Sequence, residues 1–180
     1  KSFVSAPVAL NDGGAAHSNF IGGLIANDEY VFTSSEDGSL SVWAGEDLDE
    51  VITIYPPSCI NHMALSPCGK YLAGGCDDYT AKVYELPSME LKHSLELHDG
   101  YVSKVGFSQH GHLVSISKDG TVGVWDYENG RLLHHLKGHD DWVYSLAVHP
   151  TKPLAITGSL NSSLKIWNLE SGELKLSTSL

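Results

Sequence analysis

Four stretches of the chain repeat one pattern, and that repetition limits the fold more than any other feature. SSEDGSLSVW ends at Trp43, GCDDYTAKVY at Tyr84, SKDGTVGVW at Trp125 and SLNSSLKIW at Trp167, at spacings of 41, 41 and 42 residues. Six residues before each aromatic stand Asp37, Asp78, Asp119 and Asn161. A second column lies upstream: FIGGLIA starts at Phe20, CINHMALSP at Cys59, YVSKVGFS at Tyr101 and WVYSLAVHP at Trp142. A histidine stands three residues before three of these starts, at His17, His98 and His139.

Each unit reads as strands. An Asp-Gly pair between two β-branched runs is a hairpin signal. In SISKDGTVGVWD it predicts one strand over Leu113–Ser117 and the next over Thr121–Trp125. VSKVGF and VYSLAV alternate in the same way. WAGEDLDE, YELPSME, WDYENGR and WNLESGE read as turns, each followed by a short strand such as RLLHHL or ELKLS. No stretch carries a helical apolar stripe of useful length. Four short strands per unit at this period are the mark of a β-propeller blade, so the fold class is all-β. The units fall at 17–56, 57–96, 97–137 and 138–180. KSFVSAPVAL, within 1–16, reads as the outer strand of a preceding blade, and NDGGAA as a linker.

KGHDDWVYSLAVHP, ISKDGTVGVWD and ITGSLNSSLKIWN resemble WD40 repeats, and the resemblance runs from 17 to 180. It implies a polar tetrad in each blade: a His before strand a, a Ser or Thr in strand b, an Asp in the b–c turn and the Trp of strand c. By position the third unit has His98, Ser115, Asp119 and Trp125, and the first has His17, Thr33, Asp37 and Trp43. The fourth has His139, Thr157 and Trp167, with Asn161 in place of the acid. The second unit is degenerate. It keeps Asp78, but Gly74 replaces the hydroxyl, Tyr84 replaces Trp and no His precedes Cys59, so its network is expected to be weak or absent. The chemistry suits the residue types, because a buried indole N–H needs an acceptor and a hydroxyl can link it to the imidazole.

Composition narrows the partners. The net charge is −11, which argues against direct nucleic-acid binding. From Ser2 to Gly69 there is no Lys or Arg, and Gly45–Glu50 is the densest acidic cluster, expected in the first c–d turn. That cluster reads either as a solvated face or as a docking patch for a basic partner. No run approaches the length of a membrane-spanning helix, and no leader segment is evident. The three cysteines, Cys59, Cys68 and Cys76, form no CxxC pair and fit reduced thiols in the cytoplasm or nucleus.

Propellers close with roughly four to eight blades, and WD40 rings most often resemble seven or eight. Four blades are therefore expected to be part of a larger ring. A second copy closing an eight-bladed ring and a self-closed four-bladed ring are the alternatives. An open face on the order of 500 Å² at each end leaves about 10 kcal/mol or more of burial unclaimed, at ~25 cal/mol per Å².

The resemblance places the b–c and d–a connections on one face. The residues opening strand a there are Phe20, Cys59, Tyr101 and Trp142; two positions on come Gly22, Asn61, Ser103 and Tyr144. Before the turn acid stand Glu36, Asp77, Lys118 and Leu160, with Asp99, Asp140 and Asp141 nearby. Aromatic anchors with a charged rim have the composition of an interface hot spot. The expected partner-binding set is Phe20, Asn61, Asp77, Tyr101, Lys118, Asp140, Trp142 and Tyr144; blade-to-blade packing is the other use for these aromatics.

Catalysis is not expected. His98, Ser115 and Asp119 have the types of a hydrolase triad, but the set recurs unit after unit beside a Trp, and no G-x-S-x-G elbow is present. His110-Gly111-His112 and His134-His135 invite a metal reading, yet no third ligand is evident. NDGGAA lacks the Lys and helix of a phosphate loop. No cofactor and no metal are expected. The order of the units, GGCDDYTAKVY then GFSQHGHLVSIS then VHPTKPLAITGS, resembles the angio-associated migratory cell protein group and its ribosome-assembly relatives. The expected function is a non-catalytic scaffold for protein or peptide partners. The alternatives are an acidic, chaperone-like binder of a basic protein in ribosome assembly and a purely architectural subunit.

Overall fold

The structure, a computed structural model, describes residues 17–44 and 49–179. The expected outer strand within 1–16 and most of the Gly45–Glu50 cluster lie outside the described residues. Asp49 and Glu50 belong to a strand rather than to a turn.

Four sheets follow one another. The first holds β1 (Ile21–Ala26), β2 (Tyr30–Ser35), β3 (Leu40–Ala44) and β4 (Asp49–Ile54). The second holds β5 (Ile60–Leu65), β6 (Tyr71–Cys76), β7 (Thr80–Glu85) and β8 (Glu90–Glu96). The third holds β9 (Val102–Phe107), β10 (His112–Ser117), β11 (Val122–Asp126) and β12 (Arg131–Leu136). The fourth holds β13 (Val143–Val148), β14 (Leu154–Ser159), β15 (Ser163–Asn168) and β16 (Leu174–Ser179). Each is an antiparallel meander in chain order, as expected of a blade. The fold class is all-β, and the described residues form four blades.

The b–c turns explain the Asp-Gly pairs. Gly38 and Gly120 both sit at φ +85°, where a side chain is disfavoured. In the second and fourth blades the same place is held by Tyr79 (φ +70°) and Ser162 (φ +64°). A left-handed non-glycine residue costs roughly 1–2 kcal/mol, so Tyr79 is an unusual choice for a turn.

The blades are joined by a repeated insertion. Ile60 of β5 packs with Phe32, Leu40 and Val42 of the first blade. Val102 of β9 packs with Ala73, Ala81 and Val83 of the second, and Val143 of β13 with Val114, Ile116, Val122 and Val124 of the third. The carbonyls of the same three residues accept hydrogen bonds from the preceding blade: Ser34 Oγ–H to Ile60 (3.0 Å), Asn61 Nδ2–H to Val102 (3.4 Å) and Ser103 Oγ–H to Val143 (2.5 Å). Strand a bulges just after this residue in every blade, which leaves Gly22, Asn61, Ser103 and Tyr144 out of the ladder.

The outer rim repeats a second device. The rings of His93 (β8) and His134 (β12) hydrogen-bond the carbonyls of Glu128 and Glu170 in the following blade, at 3.1 and 2.9 Å. Both lie against left-handed glycines, Gly130 and Gly172, where a Cβ would come within 2.7 Å of the imidazole.

At the two ends these partners are missing among the described residues. Ile21, the counterpart of Ile60, is 55% exposed and Leu24 is 68% exposed. Ile156 is 39% exposed, whereas Phe32 and Val114, at the same place in earlier blades, are fully buried.

Gly75 marks a tight blade junction against backbone. A Cβ there would stand 2.9 Å from both the Val102 carbonyl oxygen and its Cγ1. Gly75→Ala is expected to destabilise by ~2 kcal/mol through overpacking. Gly69→Ala, at φ +70° with nothing near its Cβ, is expected to cost only ~1 kcal/mol. Urea melts of the two variants give the comparison, and equal losses would contradict the tight junction.

Candidate partner-binding face

The tetrads are built as hydrogen-bonded chains. In the third blade the Trp125 indole N–H donates to Ser115 Oγ (2.9 Å), which lies 2.8 Å from His98 Nε2. The Thr121 hydroxyl donates to Asp119, so its oxygen accepts from His98 Nδ1–H, and the bare Nε2 accepts from the Ser115 hydroxyl. The imidazole proton then sits on Nδ1, 2.9 Å from Thr121 Oγ1 and 3.3 Å from Asp119 Oδ2. Asp119 also accepts from the amides of Asp99 and Thr121, each at 2.8 Å, and from the Thr121 hydroxyl at 2.7 Å.

The first blade repeats the arrangement. Trp43 Nε1–H donates to Thr33 Oγ1 (2.8 Å), which is 2.6 Å from His17 Nε2, and His17 Nδ1 meets Ser39 Oγ at 2.7 Å. Asp37 holds the Ser39 hydroxyl and the Ser18 amide, while His17 stays 3.8 Å from its carboxylate. In the fourth blade Trp167 and His139 share Thr157 Oγ1, each at 2.8 Å. Asn161 departs from expectation. Its amide oxygen accepts from the Ser163 amide, and the Ser163 hydroxyl meets His139 Nδ1 at 2.7 Å. The constant partner of the imidazole is thus the hydroxyl two residues after the turn acid: Ser39, Thr121 and Ser163. This column, with Thr80, was visible in the repeat and was not singled out.

The second blade forms no such tetrad, but its turn acid is engaged. Lys82, 2% exposed, gives its ammonium to the Asp78 carboxylate and to Thr80 Oγ1 at 2.6 Å. Tyr84 takes the tryptophan's place, and the turn acid that a histidine adjoins in the first and third blades is here paired with this buried lysine. The Tyr84 hydroxyl, buried beside it, has no hydrogen-bond partner among the described residues.

In every blade the turn residue is tied to the start of strand a. The amides of Glu36, Asp77, Lys118 and Leu160 donate to the carbonyls of Phe20, Cys59, Tyr101 and Trp142 at 2.9, 3.1, 3.0 and 2.9 Å. The columns expected on one face are therefore neighbours. They do not form one continuous site. Asn61 Nδ2–H donates to Asp77 Oδ1 (2.8 Å), which ties these two to each other at the blade junction. Phe20 stands apart on the first blade, 77% exposed. Asp140 is exposed beside His139, and Asp141 caps the Trp142 amide.

Tyr101, Lys118, Trp142 and Tyr144 do converge. The Lys118 ammonium lies 5.0, 5.4 and 5.5 Å from the ring centres of Tyr101, Trp142 and Tyr144. Tyr79 adds a fourth ring, 5.5 Å from Tyr101. A cleft opens here, lined by Tyr79, Asp99, Gly100, Tyr101, Lys118 and Trp142. Tyr79 was missed in the sequence, although a tyrosine in the glycine place of DDYT was the available signal.

Of the other histidines, His62 keeps a buried Nδ1 with no hydrogen-bond partner among the described residues, whereas His110 and His112 have structural partners. His110 Nε2 meets the Thr151 carbonyl at 3.1 Å and His112 meets Ser108 at 3.4 Å. Among the described residues no three His, Cys, Asp or Glu side chains gather as a metal ion would require. Among the described residues no helix is long and apolar enough to cross a membrane. Burial pushes the Cys76 thiol up to about 12, so that sulfur is inert.

A family model described as WD domain, G-beta repeat matches residues 15–44, 49–85, 89–126 and 130–168. The last three matches begin at the outer strand of one sheet, so they are offset by one strand from the blades. Among curated proteins, Nuclear distribution protein nudF of Emericella nidulans is 27% identical over 173 residues, 81% of this chain and 38% of that protein. The guanine nucleotide-binding protein subunit beta of Dictyostelium discoideum is 32% identical over 135 residues, 72% of this chain and 39% of that protein. A solved structure of U3-55K superposes with a TM-score of 0.84 at 25% identity, covering 92% of this chain and 53% of that one. The chain spans less than half the length of these curated relatives.

Burial works against ionisation of Asp119, but hydrogen bonds from His98, Thr121 and two amides outweigh it and hold the carboxyl well below the usual range. Asp37 is lowered in the same way by Ser39 and the Ser18 amide. A depressed carboxylate contributes stability above its unfolded value of ~3.9 and loses it as pH falls through the folded value. Asp119→Asn is therefore expected to lower stability at pH 7 and to flatten its decline below about pH 4. Thermal melts from pH 7 to pH 2 check this, and an unchanged acid limb would contradict it.

Proposed function

The chain belongs to the WD40-repeat family, and on that premise we propose that it is a non-catalytic scaffold whose turn face captures protein or peptide partners. The observation that carries this reading is the open aromatic cleft around Lys118. Tyr79, Tyr101, Trp142 and Tyr144 are 37–47% exposed, contiguous, and drawn from three successive blades. Exposed rings of this kind are over-represented among interface anchors. The bonded His-Ser-Asp sets support a structural role, because each imidazole is committed to a tryptophan-linked hydroxyl.

The partner class follows from charge. At −11 the chain suits a basic protein or peptide and disfavours direct contact with nucleic acid. An acidic, chaperone-like binder of a basic protein, as in ribosome assembly, is the narrower form of the same reading. The unpaired cysteines fit the cytoplasm or nucleus. An architectural role is the second reading, favoured by the exposed Ile21, Leu24 and Ile156 at the two ends. Further blades of a larger propeller, or a second copy, would cover them.

The test is capture of a fluorescent Arg/Lys-rich peptide by the chain, read by anisotropy at low and high salt. Salt-sensitive binding is expected. The Tyr101→Ala/Trp142→Ala double variant is expected to lose it by at least tenfold while its melting temperature falls by only a few degrees. A large fall in melting temperature would make these rings packing residues and sink the reading.

A further inference from the structure

The cleft already holds a cation. Lys118 leaves the b–c turn of the third blade and carries its ammonium to within 5.5 Å of three ring centres, one from its own blade and two from the next. Among the described residues that ammonium has no carboxylate and no hydrogen-bond partner. Asp99 lines the same cleft, and the Asp99 amide is committed to Asp119 while its carboxylate is exposed. Aromatic faces attract positive charge. A site of several rings beside a free acid is therefore built for a cation, and the chain's own lysine occupies it.

Resting on the partner-binding reading above, we propose that Lys118 is an internal occupant of a cation site, and that a basic partner inserts one arginine side chain in its place. A planar guanidinium stacks on tyrosine and tryptophan faces and pairs with a carboxylate in two-pronged fashion. Tyr79, Tyr101, Trp142 and Tyr144 supply the faces and Asp99 the acid. Lys118 rides on a flexible stem at the rim and swings into solvent when displaced. The wild-type site is consequently weakened for cationic ligands by its own lysine, because incoming and resident cations compete for one place. A surface that took an acidic partner would make the opposite use of Lys118, as its positive anchor.

The measurement is anisotropy with a fluorescent peptide bearing a single arginine among neutral residues, beside a matched glutamate peptide. It is run on the wild-type chain, on Lys118→Ala and on Tyr101→Ala. Lys118→Ala is expected to bind the arginine peptide about three- to tenfold more tightly than wild type, and Tyr101→Ala more weakly. Equal or weaker binding by Lys118→Ala overturns the proposal. If the glutamate peptide binds wild type and not Lys118→Ala, the cleft remains a partner site but an anionic one, which also overturns the proposal while sparing the broader reading. NMR supplies a ligand-free check: the Lys118 Cε protons should be shifted upfield by the rings in wild type and return toward random-coil values in Tyr101→Ala. Random-coil values in wild type contradict the resident-cation geometry.

Discussion

Every other feature of the molecule depends on one residue per blade, the first of strand a. Ile60, Val102 and Val143 each push a side chain into the sheet before them and offer a carbonyl to a polar group of that sheet. The side chain provides the nondirectional part, about 2 kcal/mol for a fully buried Val or Ile. The carbonyl fixes the position, since an unpaired buried acceptor would cost as much as the bond provides. A single four-stranded sheet has two faces and cannot bury both alone. Insertion between neighbours solves this for the three internal junctions and leaves the terminal sheets with one bare face each.

The binding face is a consequence of the same insertion. With strand a fixed at its first residue, the bulge after it takes Tyr144 out of the ladder, and the amide of each turn residue bonds back to the residue before the insertion. Tyr101, Lys118 and Trp142 are thereby held on rigid backbone, while only their outer atoms are free. The tetrads act from the opposite side. They tie the b–c turn bearing Lys118 to the sheet interior through His98, Ser115 and Trp125, while the turn bearing Tyr79, in the blade without a tetrad, is held by Lys82 on Asp78 and Thr80. Rigid presentation lowers the ordering cost of binding.

Much of this was legible in the sequence because a repeat states each requirement four times. The strands, the turns, the all-β class and the His, Ser/Thr and Trp of the tetrads came from columns that hold in at least three of the four units. What escaped was of two kinds. The Ser39, Thr121 and Ser163 column was present, but a hydroxyl beside an acid in a turn looks like turn chemistry until its distance to the imidazole is known. Lys82 stands in a column of mixed types, with Ser41, Gly123 and Lys165, and a lysine in a strand gives no sign that it is buried. The face was only partly legible. Equivalent positions in four blades do not meet at one point, so Phe20 stands alone and Asn61 pairs with Asp77, while Tyr101, Lys118 and Trp142 converge. That distinction depends on side-chain direction, which spacing does not contain.

The most direct test of the account is amide hydrogen exchange, resolved strand by strand on the whole chain. If insertion between neighbours holds the blades, the slowest amides belong to β6, β7, β10 and β11, whose sheets are covered on both sides. Those of β14 and β15 exchange faster by tenfold or more, although their ladders are equally complete, because the fourth blade is covered on one side only. Equal protection of β14, β15 and β10, β11 would mean that each sheet is stable by its own hydrogen bonds, and would contradict the claim that the blades hold one another.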